Sequence, residues 1–457
     1  MSLLSEHDPT HLRRLASRLV TRSGEYADLF LERVRDVTIL RTGGATRRVT
    51  LGGGEGAAAR WLNGARTRHA SISGLGEDRL AAVTNRLHDD TPAPFLPQSS
   101  CASVSVERND PLDEFERYLD EIRVAAGRST HGEILFEGHG RIHQREVAVA
   151  TSEGEVVEDE RPWITFGIRL GRAGDLAVVS GGGGGLDLDR LRDLHPPEIF
   201  GSRLARRLEE EGETVPAPAG ETIVILAPGP GGIFFHESCG HALEGDNVVS
   251  GRSPFAELLG EKVGPDALTL VDDPTLAGLP GSRRIDDEGW RAERTVLIEN
   301  GRLVGLLLDR ATAILASTTP TGSARRESYR DLPLPRMSNT VVREGPYTPE
   351  EILESVGRGV YIEELGAGQV DPASATFSFH VKRGFLIAAG RLIAPIAPAI
   401  VSGNGVRALA SIKMIGSDLR FDGGAGECGK DGQRARAAVG QPTIRVDGLT
   451  VRPAGVQ

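Results

Sequence analysis

The segment Phe234-Phe235-His236-Glu237-Ser238-Cys239-Gly240-His241 sets two histidines five residues apart, with a glutamate directly after the first. Imidazoles hold a divalent metal, and a carboxylate beside them can take a proton from water, so this set of side chains points to metal-assisted hydrolysis. The spacing exceeds the His-Glu-x-x-His helix of zinc proteases by one residue. On a regular α-helix, positions i and i+4 lie ~40° apart, whereas i and i+5 lie ~140° apart and cannot share a metal. A π-type turn, with its i→i+5 hydrogen bond, brings them to one face. The spacing therefore predicts a π bulge between His236 and His241, eased by Gly240. One such histidine alone reads as a packed side chain. Two, with Glu237 in register and Ile233, Phe234 and Phe235 ahead of them, read as metal ligands. The pattern leaves the third ligand open. Glu244 and Asp246 are candidates by proximity, and Cys239 is another, although its sulfur need not point inward.

A second chemical segment is Gly423-Gly424-Ala425-Gly426-Glu427-Cys428-Gly429-Lys430-Asp431-Gly432-Gln433. A cysteine in so glycine-dense a loop can approach a metal closely, and thiolate is a good zinc ligand. Lys430 nearby would favour the thiolate form. A small buried cysteine in a turn and a Cys-His nucleophile are the competing readings. The nucleophile reading leaves a second histidine and a glutamate without a role, so the metal reading is preferred.

These residues need elements to position them. A helix begins near Asp8-Pro9, with Leu12, Leu15 and Leu19 at helical spacing. Strand patterns follow over 28–34, 38–41, 47–51, 57–62 and 66–73, with Asn63-Gly64 as a hairpin signal. Helices are expected over about 77–87 and from Asp110, where Leu112, Phe115, Leu119 and Ile122 share a face. Between them, Thr91–Pro97 reads as a Pro-rich connector. Strands are expected again over 133–137, 146–151, 163–170 and 176–180, then a flexible loop at Gly181–Gly185. A long charged helix, 186–211, is interrupted at Pro196-Pro197. The linker Pro216–Gly220 predicts a boundary between an α/β N-terminal domain, 1–215, and a strand-rich C-terminal domain, 216–457. The latter opens on a buried strand, 222–226, and continues through 295–298, 302–308, 376–381 and 385–388. Helices crowd the first half and strands the second, which predicts an α+β fold.

Composition limits the function. The 457 residues are 39% hydrophobic and 26% charged, a globular balance. The net charge of −11 argues against nucleic-acid binding. Three cysteines cannot form a disulfide framework. No secretory signal and no run of ~18–20 apolar residues is present, so a soluble cytoplasmic protein without membrane contact is expected.

The chain resembles the TldD/PmbA metallopeptidases, in their active TldD-like form. The resemblance rests on His236–Asp246, Gly281–Gly289, Leu297–Gly301, Thr321–Thr340, Gly368–Pro372, Cys428–Gln433 and Val439–Thr443. It implies a zinc-dependent peptidase with one Zn2+ per active subunit, bound by His236, His241 and Cys428, with Glu237 activating water. It also implies an enclosed chamber, unfolded peptides or peptide precursors as substrates, and a homologous partner subunit (a heterodimer) or a homodimer. Two residues depart from the family pattern: Cys239, usually aliphatic or small, and Glu427, usually apolar or hydroxyl-bearing.

Arg325, Arg326 and Tyr329, from a dense polar stretch, are candidates to bind substrate or its oxyanion. Surface charges or internal ion pairs are the alternative. Asp286, Asp287 and Glu288 would bind a substrate amine, orient a ligand histidine or cap a turn. Gly368, Gln369 and Val370, and Ser402–Gly405, lie in strand-flanked glycine segments whose main chain could pair with an extended peptide. Two other functions share these residues. One is a biosynthetic amidase or peptidase acting on a small aminoacyl or peptidyl intermediate. The other, a non-catalytic partner subunit, has no reason to keep His236, Glu237, His241 and Cys428 together.

Overall fold

A computed structural model describes residues 2–64, 66–87, 110–210 and 214–455. The expected connector at 91–97 lies outside them. The α+β class holds, but helices and strands do not segregate by half. The N-terminal part is built on a seven-stranded sheet in the order β3-β2-β1-β4-β6-β7, with β5 paired to β4. Its strands are β1 (Tyr26–Thr42), β2 (Ala45–Asn63), β3 (Arg66–Ser73), β4 (Ile134–Thr151), β5 (Val156–Glu160), β6 (Trp163–Arg172) and β7 (Val178–Gly185). The short strand patterns over 28–41 and 47–62 fuse into β1 and β2, paired continuously from Tyr26↔Leu62 to Thr42↔Ala45. Polar gaps read as breaks because long antiparallel strands tolerate exposed polar stretches that local patterning scores as turns. The Asn63-Gly64 turn forms as expected, with Asn63 opposite Arg66.

Two helical groups cover this sheet. Helix Pro9–Ser17 is capped by Asp8, whose carboxylate accepts from Thr10 N. Its Leu12 and Leu15 pack with Leu80 and Val83 of helix Glu77–Arg86 against Leu29, Leu31 and Ala57. Elsewhere Phe115, Leu119 and Ile122 of helix Asp110–Arg128 pack with Phe200, Leu204 and Leu208 against Phe166, Ile168 and Leu170. The long charged helix is two helices, Leu188–Leu194 and Pro197–Glu209. The missing N–H of proline and its clash with the preceding turn break it at Pro196-Pro197.

The glycine run 181–185 is not a loop. It is the second half of β7, paired with β6 from Ile164↔Gly185 to Ile168↔Gly181. A Cβ at Gly183 would strike the His195 ring, and one at Gly184 would strike the Gly424 carbonyl. These glycines therefore mark close approach rather than flexibility. Gly184 N donates to Gly423 O at 2.7 Å, so the sheet edge grips the loop that leads to Cys428.

In the C-terminal part, β8 (Gly220–Leu226) pairs with Arg358–Asp371 and Ile444–Pro453. Pairing then continues through Ala399–Asn404 and Thr376–Ala388 back to Arg358–Asp371, closing a five-stranded barrel. The strands expected at 376–381 and 385–388 are one. A six-stranded sheet stands beside the barrel and includes Leu270–Asp272, Asn339–Val342 and Ala438–Gln441. No helix of the described residues is long and apolar enough to cross a membrane.

The two parts meet across a seam of buried charge. Arg60, 2% exposed, donates to Asp28 Oδ2 through Nε at 2.8 Å and to Glu288 Oε1 at 2.6 Å. Arg161 donates to Asp287 at 2.6 Å, and Arg145, paired with Glu32 inside the sheet at 2.6 Å, donates across to Arg326 O at 3.1 Å. The Arg326 guanidinium lies 4.3 Å from the centre of the Phe30 ring. Glu32 also accepts from Tyr329 N at 2.8 Å.

Breaking a buried pair from one side strands its partner. Arg60→Met leaves Asp28 and Glu288 in the seam without their cation and should lower the unfolding free energy by about 3–5 kcal/mol in a urea melt. A loss below about 1 kcal/mol would mean the seam is solvated and contributes little.

Candidate metal centre

After β8 the chain turns at Gly229, which has a φ of +81°, and passes Pro230–Gly232 into a short helix, Ile233–Phe235. His236–Gly240 then forms the expected π turn, with His241 N donating to His236 O. Its i→i+5 bond places the two imidazoles on one side, ring centroids 5.1 Å apart and nearly perpendicular at 87°. Apolar burial anchors the turn. Phe234 stacks edge-on against Phe377 at 5.2 Å within the barrel core. Glycine is demanded at two points around it. A Cβ on Gly240 would overlap the Met337 sulfur, and one on Gly405 would overlap the Ser238 carbonyl oxygen.

Cys428 sits on the hairpin Glu427–Lys430/Gln433–Arg436, opposite Ala435. The fully buried Arg336 donates to the carbonyls of Cys428 and of Gln433, the latter at 3.1 Å, and so pins both strands. Trp163 Nε1 donates to Gly424 O at 3.0 Å, and His195 Nε2 lies 3.0 Å from Gly423 O. The N-terminal sheet thus holds the glycine loop before the hairpin. The result brings Cys428 Sγ to 3.5 Å from His241 Nε2. One donor atom from each of His236, His241 and Cys428 falls within a mutual 4.8 Å, and all three residues are buried.

The surroundings tune these groups. His241 Nδ1 is 3.0 Å from Glu244 Oε2, which leaves Nε2 for the cluster. Glu244 is in turn 3.0 Å from Lys430 Nζ, and Lys430 is 2.7 Å from Asp246. Burial pushes the Glu244 carboxyl up, but His241 and Lys430 outweigh it and hold it down to about 2. Burial likewise opposes the Cys428 thiolate, yet His236 and His241 bring it well below the usual thiol range. His236 Nδ1 lies 3.5 Å from Thr340 Oγ1. Behind Thr340 stands Asp272, which accepts from Ser338 N at 2.8 Å. Glu237 is the outlier in burial. Its side chain is 26% exposed, and its carboxylate lies 3.8 Å from His241 Nε2.

The third member of the cluster is therefore Cys428, not Glu244 or Asp246, whose carboxylates are engaged by His241 and Lys430. Cys239 turns away, its thiol donating to Phe235 O at 3.2 Å, with burial raising it to about 12. Lys430 serves the two carboxylates rather than the thiolate. Two imidazoles and a thiolate, buried together with one imidazole oriented from behind, form a donor set that suits zinc and leaves a tetrahedral position open.

The other sequence candidates lie outside this cluster. Arg325 donates to Met337 O at 2.8 Å. Arg326 and Tyr329 are in the seam, where Tyr329 Oη meets Ser73 Oγ at 2.9 Å. Gly368, Gln369 and Val370 pair with Phe379, Ser378 and Phe377 inside the barrel sheet. Asp286 caps the turn at Glu288 and Trp290, while Asp287 and Glu288 pair with arginines. Sequence reasoning gave no role to Asp272 or to Thr340, which ends one of the stretches that carry the resemblance; each reaches the site only through the sheet pairing Thr340↔Asp272.

The profile of the PmbA/TldA metallopeptidase C-terminal domain matches residues 219–453, and that of the central domain matches residues 107–210. The chain belongs to the PmbA/TldD metallopeptidase family. A metalloprotease of Methanothermobacter thermautotrophicus is 31% identical over 92% of this chain and 94% of that protein. A metalloprotease TldD homolog of Buchnera aphidicola (from Schizaphis graminum) is 36% identical over 67% of this chain, a match spanning 65% of the relative. The crystal structure of TldE from Thermococcus kodakarensis shares the fold, with a TM-score of 0.74, 19% identity, and coverage of 97% of this chain and 99% of that one.

Glu244→Gln should weaken Zn2+ binding by about 10–100-fold without unfolding the chain. Competition against a chelating dye measures this. An unchanged affinity would show that Glu244 does not support His241.

Proposed function

We propose that the chain is a zinc-dependent peptidase of the cytoplasm, in which His236, His241 and Cys428 hold one Zn2+ and Glu237 is the general base. The observation that carries this reading is the convergence of three buried donor atoms within 4.8 Å beside a partly exposed carboxylate. Bound zinc supplies a Lewis acid for a scissile carbonyl and an acidified water. The residues of the chain do the rest. Glu244 keeps His241 in the tautomer that presents Nε2. Burial excludes bulk water from the donors. Glu237, the exposed member, takes a proton from the attacking water and delivers it to the leaving amine, a role worth ~10²–10⁴-fold.

Unfolded peptides or peptide precursors fit a site set deep between a barrel and a sheet. In this reading residues 1–215 form a domain that shapes access, and residues 216–457 the domain that holds the metal. Separate family profiles over 107–210 and 219–453 support that division. Arg325, Arg326, Tyr329 and the Gly368–Val370 strand remain candidates for substrate contact. A homologous subunit, or a second copy of the chain, encloses the site so that only extended chains reach it.

Three experiments test this. Glu237→Gln should retain zinc by elemental analysis and lose hydrolysis of an unfolded peptide by roughly 10²-fold or more. Cys428→Ala should lose zinc and activity together. Zinc lost from the first variant would make Glu237 a ligand, and activity kept by the second would place the third ligand elsewhere. Light scattering at micromolar concentration should show an assembly larger than 48.7 kDa. A monomer of that mass that cleaves peptides would refute enclosure.

A further inference from the structure

A cavity of about 390 Å3 lies where the face of β1, β2 and β4 meets the C-terminal segments around Arg283, Arg325 and Arg436. Eight arginines line it against three carboxylates, Glu32, Glu327 and Glu427. That balance is the reverse of the whole chain, whose net charge is −11. Some of these arginines are neutralised, as Arg161 is by Asp287 and Arg145 by Glu32. Four are not. Arg283, Arg325, Arg330 and Arg436 have no carboxylate within ion-pairing distance among the described residues.

Two of the four are deeply placed. Arg283 and Arg325 are each 7% exposed. Arg283 donates to the carbonyls of Gly281 and Gly322 at 3.0 and 2.9 Å, and its Nε is buried without a partner. Among the described residues the Arg325 side chain makes one hydrogen bond, to Met337 O. The nearby buried carboxylates are committed elsewhere. Asp272 is held by Ser338, Asp286 by the amides of Glu288 and Trp290, and Asp287 by Arg161 and Arg326 N. Burial, then Arg283 and Arg336, hold Arg325 well below the usual arginine range, while burial, then Arg141, brings Arg436 down to about 10. Asp272, Asp286 and Asp287 act on Arg283 from a distance, and Glu427 and Asp36 on Arg436, without pairing with them; guanidinium keeps its proton in proteins, so the cluster favours an added anion.

We propose that this cavity is a binding site for a small multivalent oxyanion, a polycarboxylate or a phosphate. Arg283 and Arg325 form its floor, and Arg330 and Arg436 stand at its mouth. Planar guanidinium forks match both oxyanion types in bidentate fashion. The volume suits a small molecule and excludes a folded chain. None of His236, Glu237, His241 and Cys428 lines the cavity, although Ala435, which faces Cys428 across the hairpin, does. The proposal therefore does not rest on a metal being bound.

Calorimetric titration of the full chain with inorganic phosphate and, separately, with tricarballylate tests it, before and after removal of metal by a chelator. At least one probe should bind saturably, tighter than about 1 mM. Binding should survive metal removal and weaken at least tenfold in Arg436→Gln and Arg283→Gln. Phosphate alone binding assigns a phosphate-type ligand, and tricarballylate alone a carboxylate-type one. If Arg283→Gln does not fold, the half-buried Arg436 decides the matter. No saturable binding, binding that disappears with the metal, or binding undiminished in Arg436→Gln would overturn the proposal.

Discussion

Buried charge between the N-terminal sheet and residues 285–330 is the constraint on which the rest of the molecule depends. Asp28, Arg60, Glu288, Asp287 and Arg326 are all nearly inaccessible, and each has a charged partner across the seam, that of Asp287 being Arg161. A buried ion pair contributes little net stability over an apolar contact of the same size, but it tolerates almost no misalignment. The seam therefore acts mainly on geometry. It sets the sheet against the C-terminal part, and the sheet in turn grips the glycine loop that carries Cys428. The three residues of the candidate cluster come from a turn after β8 and from a hairpin nearly two hundred residues later. Their distance depends on contacts that neither segment makes alone.

The donor cluster shows the same logic at smaller scale. From Cys428 through His241, Glu244 and Lys430 to Asp246, polar groups follow one another at contact distance. The side chains of all but the half-buried Asp246 are buried, and each of these four is oriented by the next. Removing one link leaves the following group uncompensated in a poorly solvated site. Such a chain holds the imidazole orientation without any single strong interaction.

Much of this was legible in the sequence, and the failures have physical reasons. The five-residue spacing of His236 and His241 forces a π turn if the two are to meet, and the turn is there. Cys428 stood out because glycine on both sides permits close approach. Glu244 and Asp246 were visible as neighbours, but which carboxylate would support and which donor would complete the cluster is decided by Lys430 folding back on both. Asp272 and Thr340 had no legible role because only strand pairing unites them. Strand lengths were underestimated in the N-terminal sheet, where polar residues on the solvated face break the alternation that signals a strand. The glycine run in β7 misled for a related reason. Glycine signals a loop when read locally, and close packing against another part of the chain when read in three dimensions.

The closure of the barrel has a temporal side. Strand Ile444–Pro453 lies between β8 and Ala399–Asn404, so the barrel lacks an interior strand until that segment has been synthesised. Cys428 follows His241 by 187 residues. At ribosomal rates of ~5–20 residues per second, the histidines wait roughly 10–40 s for their third companion. During that interval the nascent chain carries two of the three donors on an open sheet. The cluster is completed late, in one step, with the fold itself.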